Sequence, residues 1–291
     1  MSTPSPSSQP IRRLTPRDVL ACADLSENRG WPREEHKWRL LLSAGTGYGI
    51  DDPDGGLVSA CVVTEYGPRE RPELGAIGMV LVAEQHARQG IGRRLMRHVV
   101  ERAGTTPLTL HATPYGRPLY EELGFKVTGR AEMVRGRFAA GGSLPVVSTR
   151  AATAEDLPAI LRLDAEVFGP DRTQVITRLP AFADQLRVAV DEGPSGGLIG
   201  FAAAWPNEDT HVIGPLIARD TATAQALVAS LAAGTDRPLR TDIDVRHEEL
   251  LAWLKESGLD AVSLNAVMSY GSSGLPGDWT RRFAPLTVAA G

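Results

Sequence analysis

Four short segments of this chain recur in the same order, between 134 and 141 residues further on. Arg12-x-x-Thr15-x-x-Asp18-Val19 returns as Arg150-x-x-Thr153-x-x-Asp156-Leu157, each ahead of a helical pattern. The apolar run 57–62 returns at 198–203, and Ile77-Gly78-Met79-Val80-Leu81 returns as Ile213-Gly214-Pro215-Leu216-Ile217. Tyr120-Glu121-Glu122-Leu123-Gly124 has its counterpart in Leu254-Lys255-Glu256-Ser257-Gly258. Ordered recurrence at a nearly constant offset is the mark of a duplicated unit. The expectation is therefore two copies of one α/β unit, over 11–138 and 148–291. The join, 139–147, is Gly-rich and Pro-bounded as a linker should be. Ahead of both copies, residues 1–10 are polar and rich in Ser and Pro, which reads as a disordered tail and not a signal peptide.

Within the first copy, residues 79–82 form an apolar strand, Gly90-Ile91-Gly92 follows, and 93–103 has helical periodicity through Leu95, Met96, Val99 and Val100. A glycine turn feeding a helix start leaves backbone N–H groups aimed at one point, with the positive end of the dipole behind them. Such a point is a seat for phosphate or pyrophosphate, and Arg88, Arg93 and Arg94 add positive charge around it. Spacing alone carries no weight here. A chain this rich in glycine should show Gly-x-Gly roughly three times by chance, and it does, at Gly45/Gly47, Gly47/Gly49 and Gly90/Gly92. Only the third lies between an apolar strand and a basic amphipathic helix. Downstream, 108–112 alternates as a strand and 118–123 reads as a short helix with Gly124 at its C′ position.

These residues together resemble the GNAT superfamily of acetyl-CoA-dependent N-acetyltransferases. That superfamily has a strand, a pyrophosphate loop of the form Arg/Gln-x-x-Gly-x-Gly/Ala, and a later Leu-Tyr-x-x-x-Gly-Phe segment. The chain supplies Gly90-Ile91-Gly92 and Leu119-Tyr120-Glu121-Glu122-Leu123-Gly124-Phe125 in that order. It departs at Ala87, where the loop usually begins with Arg or Gln, and at Thr113, where many members carry Asn. The resemblance covers roughly the first 140 residues. It implies an α/β fold of two tandem units, each a mainly antiparallel mixed sheet flanked by helices. It also implies acetyl transfer from acetyl-CoA, as co-substrate, to a primary amine. Leu81 and Val82 would offer strand backbone to the pantetheine arm, and Val80 or Val82 N–H would meet the thioester carbonyl. Arg88, Gln89, Gly90, Ile91, Gly92 and Arg93 would take the pyrophosphate, and Tyr120 would be the general acid.

The second copy reads as degenerate. After Ile217 it has no glycine turn, Asp220 stands where an anion would sit, and Leu254 at the position of Tyr120 cannot transfer a proton. An intact copy before a degenerate one also resembles a bacterial subgroup of the superfamily. The second copy is expected to pack on the first and to cap its acceptor cleft. Acceptor recognition is expected from the first copy's early helices, through Trp31 and Glu27, while Trp38, among leucines, reads as a packing residue. No general base stands out among Glu27, Glu65, Glu73 and His111.

A formal charge of −4 and a pI near 5.9 argue against nonspecific nucleic-acid binding. No apolar run reaches the length of a membrane span. Two cysteines, Cys22 and Cys61, without metal-type spacing read as buried inert thiols in a cytoplasmic protein. Six scattered histidines suggest no metal, and His36 and His86 read as surface residues. The acidic run 51–56 reads as a hairpin turn, since it lacks the spaced carboxylates of a calcium loop. The partner expected is a small-molecule amine, and a homo-oligomer is neither required nor excluded. Two alternatives stand beside this reading: a noncatalytic acyl-CoA-binding regulatory protein, and an acetyltransferase acting on protein amines. A dinucleotide oxidoreductase fails, because Arg93-Arg94-Leu95 replaces the third glycine of that fingerprint.

Overall fold

The computed structural model describes residues 9–140, 145–193, 196–272 and 274–291. The expected tail lies mostly outside these residues, as does 141–144 of the expected join. In the first half, β1 (Ile11–Leu14), helices α1 (Val19–Asn28) and α2 (Glu35–Ala44), and strands β2 (Thr46–Asp51), β3 (Leu57–Tyr66) and β4 (Leu74–Val82) come first. Helix α3 (Ile91–Ala103), β5 (Leu108–Ala112), α4 (Arg117–Glu122) and β6 (Lys126–Gly136) complete it. The second half has β7 (Ser148–Ala151), α5 (Leu157–Phe168), α6 (Thr173–Ile176), α7 (Leu179–Phe182), β8 (Gln185–Val190), β9 (Leu198–Asn207) and β10 (Thr210–Ala218). It ends with α8 (Thr221–Ala232), β11 (Leu239–Asp244), α9 (Glu248–Glu256), β12 (Leu259–Tyr270) and β13 (Arg282–Ala284).

The repeat seen in the sequence has a concrete local cause. Thr15 and Thr153 each open a short 3₁₀ turn with a capping box, and the reciprocal acid is Asp18 in one and Asp156 in the other. Arg12 then reaches Asp18 at 2.7 Å, as Arg150 reaches Asp156 at 2.7 Å. The Arg150 guanidinium holds the Asp156 carboxyl well below the usual carboxylate range. Each device satisfies the orphan N–H groups at a helix entry and fixes the angle at which the helix leaves the first strand.

Strands β3, β4, β9 and β10 are apolar almost throughout and buried on both faces, so they must be central in a sheet covered on both sides. Helices α1 and α2 pack with Leu14, Met79 and Leu81 on one face, and α3 and α4 with Ile77, Leu95 and Leu110 on the other. In the second half α5, α6 and α7 share a core with Leu40, Tyr66 and Leu74 of the first, while α8 and α9 cover the opposite face. The result is the expected mixed, mainly antiparallel sheet flanked by helices in each half.

One further feature has no signature in the repeat. All the strands form a single sheet in the order β1-β2-β3-β4-β5-β12-β6-β11-β10-β9-β8-β7, with β13 on β10. The last long strand of each half thus completes the other half. β12 pairs β5 through Ala266↔Ala112 to Tyr270↔Leu108, and β6 pairs β11 through Leu239↔Gly136 to Asp244↔Ala131. β6 and β12 meet each other along nearly their whole lengths.

Candidate acyl-transfer site

β4 and β5 run parallel and pair only at Gly75↔Leu108, Ala76↔Thr109 and Ile77↔Leu110. Beyond Ile77 they part. The register of β4 against β3 slips between Ala60 and Val62, and Met79 takes a left-handed φ of 53°. That bulge turns the strand and leaves the β5-facing edge of 78–82 without a partner strand. Between the parted strands lies a cleft of about 890 Å³. It is walled by 77–82, the turn at 86–88, the start of α3, Tyr120 on α4, and residues of β11 and β12 from the second half.

At one end of the cleft the chain leaves β4 through a 3₁₀ turn (Glu84–His86), and Arg88 adopts φ 61°. Gly90, at φ 77°, is the N-cap of α3, and no side chain caps that helix. The first intrahelical bond runs from Arg94 N to Gly90 O, so the N–H groups of the first turn face outward with the dipole behind them. The helix begins at Ile91, two residues ahead of the expected start at 93. Gly92 is therefore helical. A Cβ there would meet Val82 Cγ2 at 3.4 Å and Leu119 Cδ2 at 3.5 Å, ordinary contacts, so the protein itself does not need glycine at this position. Its missing side chain leaves the helix start open to a ligand. Val80, Leu81, Val82, Arg88, Gly90, Ile91, Gly92 and Arg93 all line the cleft. Gln89 does not, and its amide turns back to Gln85 O. Arg93 also bonds Glu122 on α4. A second groove of about 460 Å³, along Arg93, Arg94, Arg97, His98 and Glu101, adjoins this end.

At the middle of the cleft Tyr120 is buried, edge-on to Phe125 at 6.1 Å. Burial pushes its phenol above the ordinary value, so it is a neutral O–H donor at any physiological pH. Among the described residues its hydroxyl has no hydrogen-bond partner. The thiols of Cys22 and Cys61 are buried and pushed up to about 12, which leaves no thiolate nucleophile here. His111 lines the cleft from β5; burial, with help from Arg282, pushes it down to about 4.

Trp31 lines the mouth and is 40 % exposed. Glu27 is exposed on α1 and pairs with Arg33 at 3.0 Å, away from the lining. Trp38 is fully buried and donates to Ser26 Oγ at 3.0 Å, a packing role as expected. Glu65 and Glu73 are not among the lining residues. His36 and His86 are not the solvated residues expected. His36 stacks on Phe182 of the second half at 4.4 Å and meets its carbonyl, and His86 lines the cleft and pairs with Asp52 at 3.2 Å. The stretch 51–56 is the expected hairpin turn, closed by Asp52 N to Gly56 O. Glu34, Lys37, Arg240, Ser263 and Asn265 also line the cleft. They carry no motif, and three of them belong to the copy that reads as degenerate.

The corresponding place in the second half is closed. β10 and β11 pair in parallel only from His211↔Leu239 to Ile213↔Thr241, the same short overlap as β4 and β5. Beyond it β13 pairs β10, at Leu216↔Ala284 and Ile217↔Arg282, and fills the edge that in the first half is open. The C-terminal segment packs closely on both halves, since a Cβ on Gly214 would strike Pro285 O at 2.3 Å and one on Gly78 would strike Ala289 Cα at 2.3 Å. At the start of α8, Asp220 Oδ1 accepts from Thr223 N at 2.8 Å and Thr223 Oγ1 at 2.6 Å. The helix end that would hold an anion is capped by the chain's own carboxylate. Leu254 is buried core.

Two GNAT acetyltransferase domain families match the chain in tandem, one over residues 62–138 and the other over 160–284. The chain belongs to the GNAT acetyltransferase family. It is 28 % identical over 253 residues to the uncharacterized N-acetyltransferase YitH of Bacillus subtilis, covering 84 % of this chain and 86 % of that one. Its fold is similar to that of an acetyltransferase candidate from Pyrococcus horikoshii (TM-score 0.77, 19 % identity, 97 % and 96 % of the two chains). It is also similar to a tandem GNAT protein from the clavulanic acid biosynthesis pathway (TM-score 0.63, 14 % identity, 93 % and 100 %). This GNAT chain is thus an N-acetyltransferase built from two GNAT units, and the family uses acetyl-CoA as acyl donor. No helix among the described residues is long and apolar enough to cross a membrane.

Proposed function

We propose that the first half transfers an acetyl group from acetyl-CoA directly to the primary amine of a small molecule, with Tyr120 as general acid. The observation that carries this reading is that the open edge of β4, the uncapped start of α3 and the unpartnered Tyr120 hydroxyl all border one cleft. The pyrophosphate would lie on the N–H groups at the start of α3 beside Arg88, and the pantetheine amides would extend the sheet along Leu81 and Val82. The neutral amine attacks the thioester carbonyl carbon, and an N–C bond forms as the C–S bond breaks. The sulfur leaves with the bonding pair and takes the Tyr120 proton, and the phenolate recovers a proton released by the acetylated nitrogen through solvent. Holding both reactants in one cleft supplies the orientation, and the N–H of Val80 or Val82 supplies the oxyanion contact.

Free thiol release from acetyl-CoA across an amine library, with the melting temperature followed on addition of CoA, tests the reading. Tyr120→Phe is expected to lower kcat by roughly one to three orders of magnitude and to leave the CoA-induced rise in melting temperature in place. Unchanged turnover in that variant removes Tyr120 from the chemistry. CoA binding without thiol release on any amine would favour a noncatalytic acyl-CoA-binding protein.

A further inference from the structure

Opposite the cofactor end, the cleft runs into a cluster of charged and amide side chains contributed by both halves. Glu34 and Lys37, at the start of α2, are 8 % and 5 % exposed and form a close ion pair, and Asn207 of β9 donates to Glu34 at 3.2 Å. Arg240 and Asp242 stand two apart on β11, so they share the sheet face opposite Leu239 and Ile243, which lie in the core under α8 and α9. Asp242 is buried, and that burial pushes its carboxyl above the ordinary value against the pull of Arg240 and Lys37. Asn265 of β12, 6 % exposed, completes the group. Glu34, Lys37, Arg240 and Asn265 line the cleft itself.

The cations of this cluster are unequally employed. Lys37 is taken by Glu34. Arg240 has only a loose pairing with Asp242, at 3.8 Å, and its Nε has no partner among the described residues. Asn265 Oδ1 and Asp242 Oδ1 are unpaired acceptors, suited to an N–H of a substrate and not to its carboxylate. Burying a cation with a donor left over is costly unless something in the cavity meets it, and a planar guanidinium is built to meet a carboxylate through two parallel N–H donors. We infer that this end of the cleft is an acceptor subsite in which Arg240 holds a carboxylate, so that the acceptor is an amine that also carries a carboxyl group, of the amino-acid class. The second half, having lost its own donor site, thereby supplies the group that selects the substrate of the first. The inference rests on the acetyl-transfer reading above.

The test uses the full chain and a panel of the common α-amino acids, each with its α-carboxamide and its decarboxylated amine. Thiol release from acetyl-CoA is the first readout, and direct calorimetric binding of the amino acids is the second. For the best acceptor, kcat/KM is expected to be at least tenfold higher for the acid than for the amide. Arg240→Gln should raise KM for the acid at least tenfold, with a much smaller change in kcat, and should erase the distinction between acid and amide. Arg240→Lys should restore part of it. The acetyl-CoA-induced rise in melting temperature reports that each variant is folded. A best acceptor without a carboxyl group, equal efficiency for acid and amide, or an unchanged KM in Arg240→Gln overturns the inference, as does acetyl-CoA binding with no amino acid acetylated. Failure of acetyl-CoA to bind at all would instead refute the acetyl-transfer reading. The subsite then stands or falls on whether calorimetric binding of an amino acid is weakened tenfold by Arg240→Gln.

Discussion

His111 sits where β4 and β5 part, and its surroundings decide its charge. Burial first and the charge of Arg282 second push its pKa down to about 4, against a backbone hydrogen bond with Val288 that acts the other way. The imidazole is therefore neutral in the folded protein at neutral pH, and that shift makes it a weak proton acceptor. The same shift is a stability statement. Unfolded, the ring titrates near ~6.5, so between that value and about 4 the unfolded chain binds a proton that the folded chain refuses. The stabilisation is whole above the unfolded value and is lost as pH falls through the folded one, by up to about 3 kcal/mol. The melting temperature is expected to fall between pH 7 and 4.5, and His111→Gln should recover a few degrees of that fall. Parallel pH profiles for the two proteins would exclude the assignment. Tyr120 could be singled out from the sequence because its segment carries a spacing signal, whereas His111 does not stand out there from Glu27, Glu65 and Glu73. Arg240 and Asn265 could not, because nothing along β11 or β12 says whose cleft those strands border.

At the scale of elements, the two halves use one architecture to opposite ends. α3 opens with Gly90 in a left-handed conformation and no side-chain cap, whereas α8 opens with Asp220 bonded to Thr223. Both contrasts are legible in sequence, since glycine at one position and aspartate at the other have opposite consequences for an anion. Periodicity alone starts α3 two residues late, because an Ile-Gly pair adds nothing to it even where backbone geometry allows the helix to begin there. The filling of the second half by β13 is not legible, since Arg282-Phe283-Ala284 is too short to show a strand period. The two glycines of α3 separate two physical roles. Gly90→Ala forces a Cβ into φ 77° with open space around it, and should cost about 1 kcal/mol of stability. Gly92→Ala meets only ordinary contacts and should leave stability and CoA affinity nearly unchanged, as a loop that ends in glycine or alanine implies, whereas Gly92→Glu should weaken CoA binding at least tenfold by setting a charged side chain at the helix start. Chemical denaturation beside calorimetric CoA titration distinguishes them, and intact CoA affinity in Gly92→Glu would show that no ligand approaches the start of α3.

For the whole molecule, the deciding fact is the exchange of β6 and β12. Duplication is plain in the sequence because the repeated segments lie close in kind and constant in offset, yet period and propensity say only that 126–136 and 259–270 are strands, never which neighbour each takes. The consequence is that neither half is a self-sufficient unit. A first half ending at Ala140 would keep β6 but lose β12, exposing the edge of β5 and both edges of β6, and stripping Ala266 and Met268 from the core that holds Leu108, Leu110 and Phe125. The β6–β12 ladder alone, from Leu259 to Ser269, holds roughly ten backbone hydrogen bonds at about 1 kcal/mol each. That is comparable with the ~5–15 kcal/mol by which a domain is stable at all, before any apolar burial is counted. Unpaired edges of that length also invite aggregation. The residues 1–140 expressed alone are therefore expected to be aggregated or without a cooperative melting transition. The same residues co-expressed with 145–291 should assemble into a one-to-one complex that melts cooperatively and regains acetyl-CoA binding, because each piece carries the strand the other lacks. Gel filtration and circular dichroism of the two preparations decide the matter. A monomeric, cooperatively melting 1–140 that binds acetyl-CoA as the full chain does would mean that β12 is dispensable to the first half, and that the continuous sheet does not hold the catalytic unit together.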